Sequence, residues 1–345
     1  MSLRDAIRAA SAREEVPAAL LEAAFGEIMD GKASPVGIAA LLVALRTKGE
    51  TVGEITAAAR ALRARAVTAT AVDPRTVDTC GTGGDGAGSF NISTTAAFAV
   101  AGAGVPVAKH GNRAASGRTG SVDVLEALGV VVDLPVEVAA RILAEVGIAL
   151  FFARRAHPAM RSVAPVRQEL GLRTLMNCLG PLLNPVGVRY QLVGVYAPEL
   201  VEPLALALGR LGAERALVVH GCDGLDEITT TGPTRAALWE AGELKSLRIE
   251  PARFGIPSPV AGALRGGAAP ENARILRAVL EGEAGARRDA VAINAAAALW
   301  VAGAADDLAD GLGLARESLD SGAALERLEA LVEATRAAAG EEAGA

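Results

Sequence analysis

From about Val77 onward the sequence alternates between short apolar strands and helical segments, and this alternation restricts the fold more than any other feature. The candidate strands are TVDTC, VPVAKHG, IALFFAR, YQLVGVY, RALVVHG and RAALWE. The candidate helices span residues 93–103, 119–128, 135–145, 198–211 and 287–302. Strands connected through helices are typical of parallel sheets, so the pattern predicts an α/β fold with a mostly parallel central sheet. Ligands of such sheets bind beyond the carboxyl ends of the strands.

The residues before this alternation indicate a different architecture, made of short helices. Ser34 followed by Pro35 predicts a helix start that leads to a helix end at Gly49, and Thr51 with Glu54 predicts a capping box. Because helices of this length are marginal alone, their apolar faces must pack on one another, on the rest of the chain or on a second subunit. We therefore predict a small N-terminal helical domain over residues 1–66, which helices from 158–185 could join. Residues 67–76 are assigned to a linker, 77–338 to the larger α/β catalytic domain and 339–345 to a tail.

Composition and charge exclude several classes of protein. The formal net charge is −6 and no basic tract stands out, which argues against duplex DNA or RNA as a general partner. The three cysteines are scattered and form no CxxC pattern, which argues against a disulfide framework and a cysteine-rich zinc site. The first residues are charged throughout, and the longest apolar run, over 96–108, contains Gly and Pro and is too short to span a membrane. We expect a soluble cytoplasmic protein.

The stretch CGTGGDGAGSFNIST, over residues 80–94, follows a candidate strand and leads into a candidate helix. Glycines allow an anion to approach the backbone closely, and the first N–H groups of a helix have no partners within it. The stretch therefore predicts a phosphate site. It matches neither GxGxxG nor GxxxxGK[ST], which excludes the dinucleotide-binding and P-loop motifs. The alternative interpretation is a loose surface loop.

A second loop, KHGNRAASGRTGS over residues 109–121, also follows a strand and precedes a helix. It places Lys109, one of only four lysines in the chain, at the end of a strand, together with Arg113 and Arg118. These cations would strengthen the binding of a phosphate, since a helix dipole contributes only about 0.3–1 kcal/mol. The alternative interpretation is a solvated basic turn.

Two further segments carry residue types suited to binding. Asp226 and Glu227 adjoin in CDGLDEITTTG, and Mg²⁺ takes one or two such carboxylates together with substrate phosphates. Arg167 lies among apolar residues in HPAMRSVAPVRQELGLRTLMNCLGPLLNP, where a guanidinium could hold a carboxylate in bidentate fashion. The alternatives are an acidic surface turn for the pair and an ordinary salt bridge for the arginine.

Taken in order, GTGGD, NIST, KHGNR, SGRTGSVDVLEALG, HPAMRSVAPVRQELGLRT, NCLGPLLNP and GLDE resemble the anthranilate phosphoribosyltransferase family of tryptophan biosynthesis. The resemblance covers nearly the whole chain, to about residue 335. It implies a helical domain that forms a homodimer and an α/β domain of the nucleoside-phosphorylase type. It also implies 5-phosphoribosyl 1-diphosphate (PRPP) and anthranilate as substrates, with Mg²⁺ required.

The resemblance also implies roles for individual residues. The catalytic residues would be Lys109 and Arg167, and the metal would be held by Ser93, Asp226 and Glu227. The anthranilate-binding residues would be Gly81, Asn112, Arg167, His110 and His157. The PRPP-binding residues would be Gly81, Gly84, Asp85, Ser89, Asn91, Ile92, Ser93, Thr94, Lys109, His110, Gly111, Asn112, Arg113, Ala114, Ala115, Ser116, Gly117 and Ser121.

Two positions depart from the family's usual pattern. Ser89 stands where Thr is usual and keeps a hydroxyl, whereas Ala115 stands where Ser is frequent and removes one possible phosphate contact. Three alternatives remain open at this point. A pyrimidine nucleoside phosphorylase would need no acidic metal pair, a nucleic-acid-binding relative would need a continuous basic surface, and a purely structural dimer would leave GTGGD, KHGNR and DE unexplained.

Overall fold

The computed structural model describes residues 3–71, 73–114 and 119–344. The N-terminal part is a bundle of four helices, α1 to α4, with the bounds Leu3–Ser11, Ala18–Met29, Pro35–Lys48 and Val52–Arg63. Both predicted start signals are confirmed. The Ser34 hydroxyl accepts a hydrogen bond from Gly37 N at 3.2 Å, with Pro35 as the first helical residue. Thr51 and Glu54 form a reciprocal capping box at the start of α4.

The described part of the α/β region contains one sheet of seven strands. Strands β1 to β7 span Val77–Gly81, Val107–Gly111, Ile148–Phe152, Tyr190–Gly194, Arg215–Gly221, Thr234–Glu240 and Glu243–Ile249. Their spatial order is β3-β2-β1-β4-β5-β6-β7. The first five in this order are parallel, whereas β6 and β7 are antiparallel to their neighbours. The prediction of an α/β fold with a mostly parallel sheet is confirmed.

Helices follow most strands and cover the sheet. Helices α5 to α15 span Ile92–Gly102, Ser121–Ala127, Val136–Val146, Ala153–Ala156, Ala164–Leu170, Leu175–Leu179, Val201–Arg210, Ala269–Leu280, Ala286–Val301, Leu308–Asp320 and Ala323–Gly344. Short 3₁₀ turns occupy Pro158–Ser162, Gly180–Leu183, Pro198–Leu200 and Pro251–Phe254. Helix α15 continues through residues 339–344, which are therefore helical rather than the separate tail that the sequence predicted.

Both faces of the sheet are buried. Successive residues of a strand point to opposite faces, so they enter two different hydrophobic cores. On β4, Leu192 belongs to a core shared with α5 and α13, while Val193 belongs to a second core shared with the helical bundle. On β5, Leu217 belongs to the first of these cores and Val218 to the second. The bundle is therefore packed against one face of the α/β domain.

The segment from 158 to 183 lies between the bundle and the sheet. Ser162 Oγ donates to Ile28 O at 3.1 Å, which ties the first 3₁₀ turn to α2. Arg63, at the end of α4, donates through Nε to Leu182 O at 2.6 Å and through Nη1 to Leu211 O at 3.0 Å. Within the described residues, no helix is both long enough and apolar enough to cross a bilayer.

The strand order fixes where a ligand can bind. From β1 the chain adds β2 and β3 on one side of the sheet and then β4 and β5 on the other. The reversal lies between β1 and β4, which pair from Val77 with Tyr190 to Gly81 with Gly194. Crevices at such reversals, beyond the carboxyl ends of the strands, are the usual ligand sites of parallel sheets. The two Gly-rich sequences and the acidic pair all follow these strand ends.

Candidate active site

The Gly-rich loop, defined here as residues 81–91, begins where β1 ends. Gly83 and Gly84 have φ values of 66° and 75°, a left-handed conformation that only glycine adopts without strain. The Gly83 N–H donates to Asp226 Oδ2 at 2.7 Å. A Cβ at Gly81 would lie 2.4 Å from the same oxygen, so the missing side chain lets the carboxylate reach the loop. Asp226 N lies 3.5 Å from Asp85 Oδ2.

The acidic pair, Asp226 and Glu227, follows β5 and lies against this loop and the start of α5. Glu227 Oε1 accepts a hydrogen bond from Ser93 N at 3.0 Å. Burial raises the pKa of Glu227 to about 7, although Lys109 and Ser93 oppose the shift. Burial, and then repulsion from Glu227 and Asp85, raises the pKa of Asp226 well above its usual range. Burial and mutual repulsion thus disfavour the ionised forms of Asp226 and Glu227, and a cation beside the pair would favour them.

Lys109 lies in the middle of β2 rather than at the strand end that the sequence predicted, and only 3% of its surface is exposed. Its Nζ donates to Thr79 O, on the neighbouring strand, at 2.5 Å. Burial lowers the pKa of Lys109, while Asp78, Cys80 and Glu227 raise it. The ammonium group is therefore held on the backbone of β1, and its positive charge interacts with the acidic groups Asp78 and Glu227.

His110 and His157 meet edge to face, with ring centroids 5.2 Å apart. His110 Nδ1 is 3.2 Å from Gly180 O, and His157 Nε2 is 2.8 Å from Leu183 O. A carbonyl only accepts, so these two nitrogens carry the protons. Burial lowers the pKa of His110 to about 3 and also lowers the pKa of His157, so both rings are neutral. His110 Nε2 is buried and has no hydrogen-bond partner among the described residues.

The second loop, residues 111–120, is held closed at its two ends by Asp123. Its Oδ2 accepts from Ala114 N at 3.1 Å and from Gly120 N at 2.8 Å. Arg113 pairs with Asp123 at 3.0 Å and with Glu126 at 2.8 Å, so its guanidinium is held on α6.

Asn112 and Gly111, at the start of this loop, have contacts with Ser121 at the start of α6 and with Arg113. Ser121 Oγ donates to Asn112 O at 3.4 Å, and a Cβ at Gly111 would lie 2.3 Å from Ser121 Oγ. Asn112 Oδ1 accepts from Arg113 N at 2.9 Å. The predicted contacts at Ala115, Ser116 and Gly117 lie outside the described residues.

Asn91 links the Gly-rich loop to its surroundings. Its Nδ2 donates to Thr119 O at 3.2 Å, and its Oδ1 accepts from Asn272 Nδ2 at 2.9 Å. Ser89 forms an isolated bridge with Arg265, which adds a second tie on the same side. These contacts connect both loops with the segment before α12.

The remaining predicted residues of the first turn of α5 contribute mainly backbone. The side chains of Ile92 and Thr94 are buried, and the Ile92 N–H donates to Phe90 O at 2.8 Å. Ser93 is half-buried and offers its N–H and hydroxyl to the acidic pair.

Arg167 lies on α9 and is half-buried. Among the described residues it forms neither a salt bridge nor a side-chain hydrogen bond, and burial lowers the pKa of its guanidinium. The alternative of an ordinary salt bridge is therefore not what the structure shows. An unpaired, partly desolvated guanidinium is suited to binding a carboxylate.

The sequence analysis missed a buried network behind the site. Asp78 is fully buried in β1, accepts from His110 N at 3.2 Å and accepts from Asn184 Nδ2 at 2.9 Å. Burial raises the pKa of Asp78 to about 6, and Lys109 opposes this shift most strongly. The available signal was an acidic residue in the middle of the predicted strand TVDTC.

A second missed residue, Arg173, connects the segment after α9 with the Gly-rich loop. Its guanidinium lies 4.3 Å from the centroid of the Tyr196 ring and donates to Gly84 O. Tyr196 N in turn donates to Thr82 Oγ1 at 3.0 Å. The loop is therefore held from the side of the helical segments as well as from the sheet.

The donor set at the acidic pair fits magnesium. Carboxylate and hydroxyl oxygens are hard ligands, and Asp226, Glu227 and the Ser93 hydroxyl lie together. Within the described ranges, no group of three or more His, Cys, Asp or Glu side chains could hold an ion by itself. Magnesium usually shares one or two carboxylates with substrate phosphates, so the pair meets its requirement only together with a phosphorylated ligand.

Comparison with known proteins identifies a family over most of the chain. The helical bundle domain of a glycosyl transferase family matches residues 4–66, and the a/b domain of a glycosyl transferase family matches residues 73–325. An anthranilate phosphoribosyltransferase from Moorella thermoacetica is 56% identical over 305 residues, which are 88% of this chain and 90% of that protein. One from Rubrobacter xylanophilus is 54% identical over 339 residues, 98% of this chain and 99% of that protein.

Solved structures give the same result. The anthranilate phosphoribosyltransferase from Thermus thermophilus has a TM-score of 0.91 and 45% identity, and the match covers 96% of this chain and 99% of that one. The enzyme from Saccharomyces cerevisiae in complex with PRPP and Mg has a TM-score of 0.89 and 27% identity, with 97% and 98% covered. Both likenesses extend over the helical bundle and the sheet together.

Proposed function

The chain belongs to the glycosyl transferase family with a helical bundle domain and an a/b domain, and we propose that it transfers the 5-phosphoribosyl group from PRPP to the amine of anthranilate. The products are N-(5-phosphoribosyl)anthranilate and diphosphate, formed in tryptophan biosynthesis. Two relatives of this name are more than half identical over at least 88% of this chain. A structural neighbour of the same name was solved with PRPP and Mg.

One observation carries the proposal. The carboxylates of Asp226 and Glu227 lie 2.7 Å from Gly83 N and 3.0 Å from Ser93 N, which brings the acidic pair onto the Gly-rich loop and the start of α5. These amides and carboxylates lie where β1, β4 and β5 end, at the reversal of strand order. Amides that bind anions beside oxygens that bind cations suit a ligand with phosphates and a divalent ion.

The reaction replaces one bond at C1 of the ribose. The C1–N bond to anthranilate forms, the C1–O bond to diphosphate breaks, and the amine loses one proton. An aromatic amine is neutral at pH 7, so the main cost is the separation of the negatively charged diphosphate from an oxocarbenium-like sugar. No covalent intermediate with the protein is needed.

The residues around the Gly-rich loop serve the diphosphate end. Magnesium, held by Asp226, Glu227 and the Ser93 hydroxyl, supplies several kcal/mol of charge stabilisation when it is bound. The backbone of the loop adds N–H donors fixed in place before the reaction. Lys109 contributes a buried positive charge near the acidic pair, with its Nζ held on Thr79 O at 2.5 Å.

The anthranilate end is formed by Arg167, Asn112 and the histidine pair. The unpaired guanidinium of Arg167 binds the carboxylate of anthranilate, and this orients the amine toward the sugar. His110 and His157 are neutral and meet edge to face, and we assign them to the anthranilate end on the family resemblance. Asn112, exposed directly after β2, is assigned to it on the same ground, and among the described residues no hydrogen bond or salt bridge joins Arg167 to these three side chains.

The test is the disappearance of anthranilate fluorescence on mixing with PRPP and Mg²⁺. We expect consumption only when all three are present, together with release of one diphosphate for each anthranilate consumed. Consumption that proceeds without PRPP, or no consumption at any Mg²⁺ concentration, would refute the proposal. Phosphorolysis of thymidine or uridine serves as the control for a nucleoside phosphorylase, and none is expected.

Two further proposals concern the setting of the enzyme. We propose a homodimer through the N-terminal helical domain, supported by the family resemblance and by Val36, which is 79% exposed on α3. Light scattering should give twice the mass of one chain, and a single-chain mass would refute this. We also propose a cytoplasmic location, supported by the biosynthetic role of the relatives and testable by cell fractionation.

A further inference from the structure

The segment that carries the acidic pair has no regular secondary structure. Residues 225–228 lie between β5 and β6, outside any helix or strand. Buried backbone N–H and C=O groups need hydrogen-bond partners. Because this segment is not part of a strand, its partners cannot come from pairing with a neighbouring strand. Leu225 O accepts from Gly221 N at 2.8 Å, which fixes one end of the segment. The partner at the other end is a side chain.

That side chain is Asn294, which is fully buried on α13. Its Oδ1 accepts from Ile228 N at 2.9 Å, and its Nδ2 donates to Ile228 O at 2.9 Å. The second amide hydrogen goes to Ala290 O, also at 2.9 Å, one turn earlier on the same helix. One side chain therefore satisfies both backbone groups of Ile228, as a neighbouring strand would.

Ile228 directly follows Glu227 and is itself fully buried. With both of its backbone groups held, the peptide that joins it to Glu227 has one orientation, and this directs the Glu227 carboxylate to Ser93 N. Asp226 is confined as well, because its carbonyl oxygen would lie 1.6 Å from a Cβ on Gly194. We propose that Asn294 is a positioning residue that holds the acidic pair in its metal-binding arrangement. The inference rests on the metal role of Asp226 and Glu227 in the proposed function.

A purely structural role for Asn294 makes a different prediction from a positioning role. Thr335 provides the comparison, because its buried Oγ1 accepts from Val131 N at 3.1 Å and it lies on α15, outside the residues assigned to the site. Asn294→Leu and Thr335→Val each remove a buried polar contact with a backbone N–H. Both variants should lower the melting temperature, and only the first should alter metal binding.

The experiment is an electron paramagnetic resonance titration with Mn²⁺ in the presence of PRPP. We compare the wild-type protein, Asn294→Leu, Thr335→Val and a double variant with Asp226→Ala and Glu227→Ala. Partners that orient metal ligands typically change affinity by about 10–100-fold, so we expect at least about a tenfold weaker Mn²⁺ binding for Asn294→Leu. Thr335→Val should bind Mn²⁺ as the wild type does, and the double variant should lose the site.

The outcomes separate this inference from the proposed function. If Asn294→Leu binds Mn²⁺ as tightly as the wild type while the double variant does not, the positioning role is refuted and the metal role stands. If the double variant binds as tightly as the wild type, the metal role itself is refuted. Should Asn294→Leu not fold, hydrogen exchange of the wild type still decides. The Ile228 amide should be protected as strongly as the amides of β5, and exchange at the rate of an exposed loop would overturn the inference.

Discussion

Substitution of Gly81 by alanine tests whether the position of Asp226 limits the reaction. A Cβ at residue 81 would lie 2.4 Å from Asp226 Oδ2, whereas ordinary contacts of this kind begin at 3.4 Å, so the carboxylate must move by about 1 Å. The backbone of Asp226 cannot move with the carboxylate, because the Asp226 carbonyl oxygen packs closely against Gly194. The side chain must rotate instead, and the 2.7 Å hydrogen bond from Gly83 N is lost.

The magnitude follows from that displacement. A misplacement of about 1 Å at a reacting centre can reduce the rate about 10²-fold, which corresponds to about 2.7 kcal/mol. A lost hydrogen bond to a charged group is worth about 1.5–3 kcal/mol, so the two approaches agree. We therefore expect kcat/KM for PRPP to fall about 100-fold in Gly81→Ala while the protein remains folded.

The assay is steady-state anthranilate fluorescence with varied PRPP at saturating Mg²⁺, together with a thermal melt. Gly313→Ala is the matched control, since a Cβ there meets nothing within 4 Å and the residue lies inside α14. That variant should keep full activity and be more stable by up to about 1 kcal/mol, because alanine favours the helix. A folded Gly81→Ala protein with kcat/KM within about threefold of the wild type would refute the reasoning.

Three other predictions address the remaining parts of the site. Arg167→Ala should raise KM for anthranilate about 10²-fold and should change KM for PRPP little. The control is Arg161→Ala, which replaces an exposed arginine and should change neither constant. Equal rises in both KM values for Arg167→Ala would contradict the assigned role. Replacing Asp226 and Glu227 by alanine should lower Mg²⁺-dependent turnover by more than about 10³-fold, and an unchanged rate in a Mg²⁺ titration would remove both residues from the site. Burial lowers the pKa of His110 to about 3. Below about pH 6.5 the unfolded chain therefore takes up a proton on this ring, whereas the folded protein does not. The free energy of unfolding consequently falls as the pH is lowered. Urea unfolding at pH 7 and pH 5 should show the wild type losing about 2 kcal/mol more than His110→Asn, and equal losses would show that the ring titrates freely.

Much of the fold could be predicted because its elements have local signals. The six predicted strands contain short apolar runs, as strands covered on both faces of a sheet do, and turn or helix signals separate them. Strand β7, ELKSLRI, was missed because it lies at the edge of the sheet and is mostly exposed, so its charged residues give no strand pattern. Residues 339–345 were assigned to a tail because their Gly, Glu and Ala composition gives no helix signal, whereas α15 continues to Gly344.

The site was predictable in its composition and less so in its contacts. The Gly-rich loop and the acidic pair were each predicted to follow a strand, and the family resemblance implied that both belong to one site. That Asp226 would accept from Gly83 N could not be read from the sequence, since the two residues are 143 positions apart. The same holds for Asp78 and Asn294, whose partners are brought to them only by the packing of the sheet and α13.

The hydrogen bonds from Gly83 and Ser93 to the protein's own acids have a consequence for ligand entry. Both N–H groups are already occupied by carboxylates of the protein, so they are not free to bind a phosphate. A phosphate that enters beside them adds negative charge next to Asp226 and Glu227, and this charge needs a counterion. Sulfate or inorganic phosphate brings no counterion and should compete poorly, whereas a sugar diphosphate that binds together with a divalent cation supplies one.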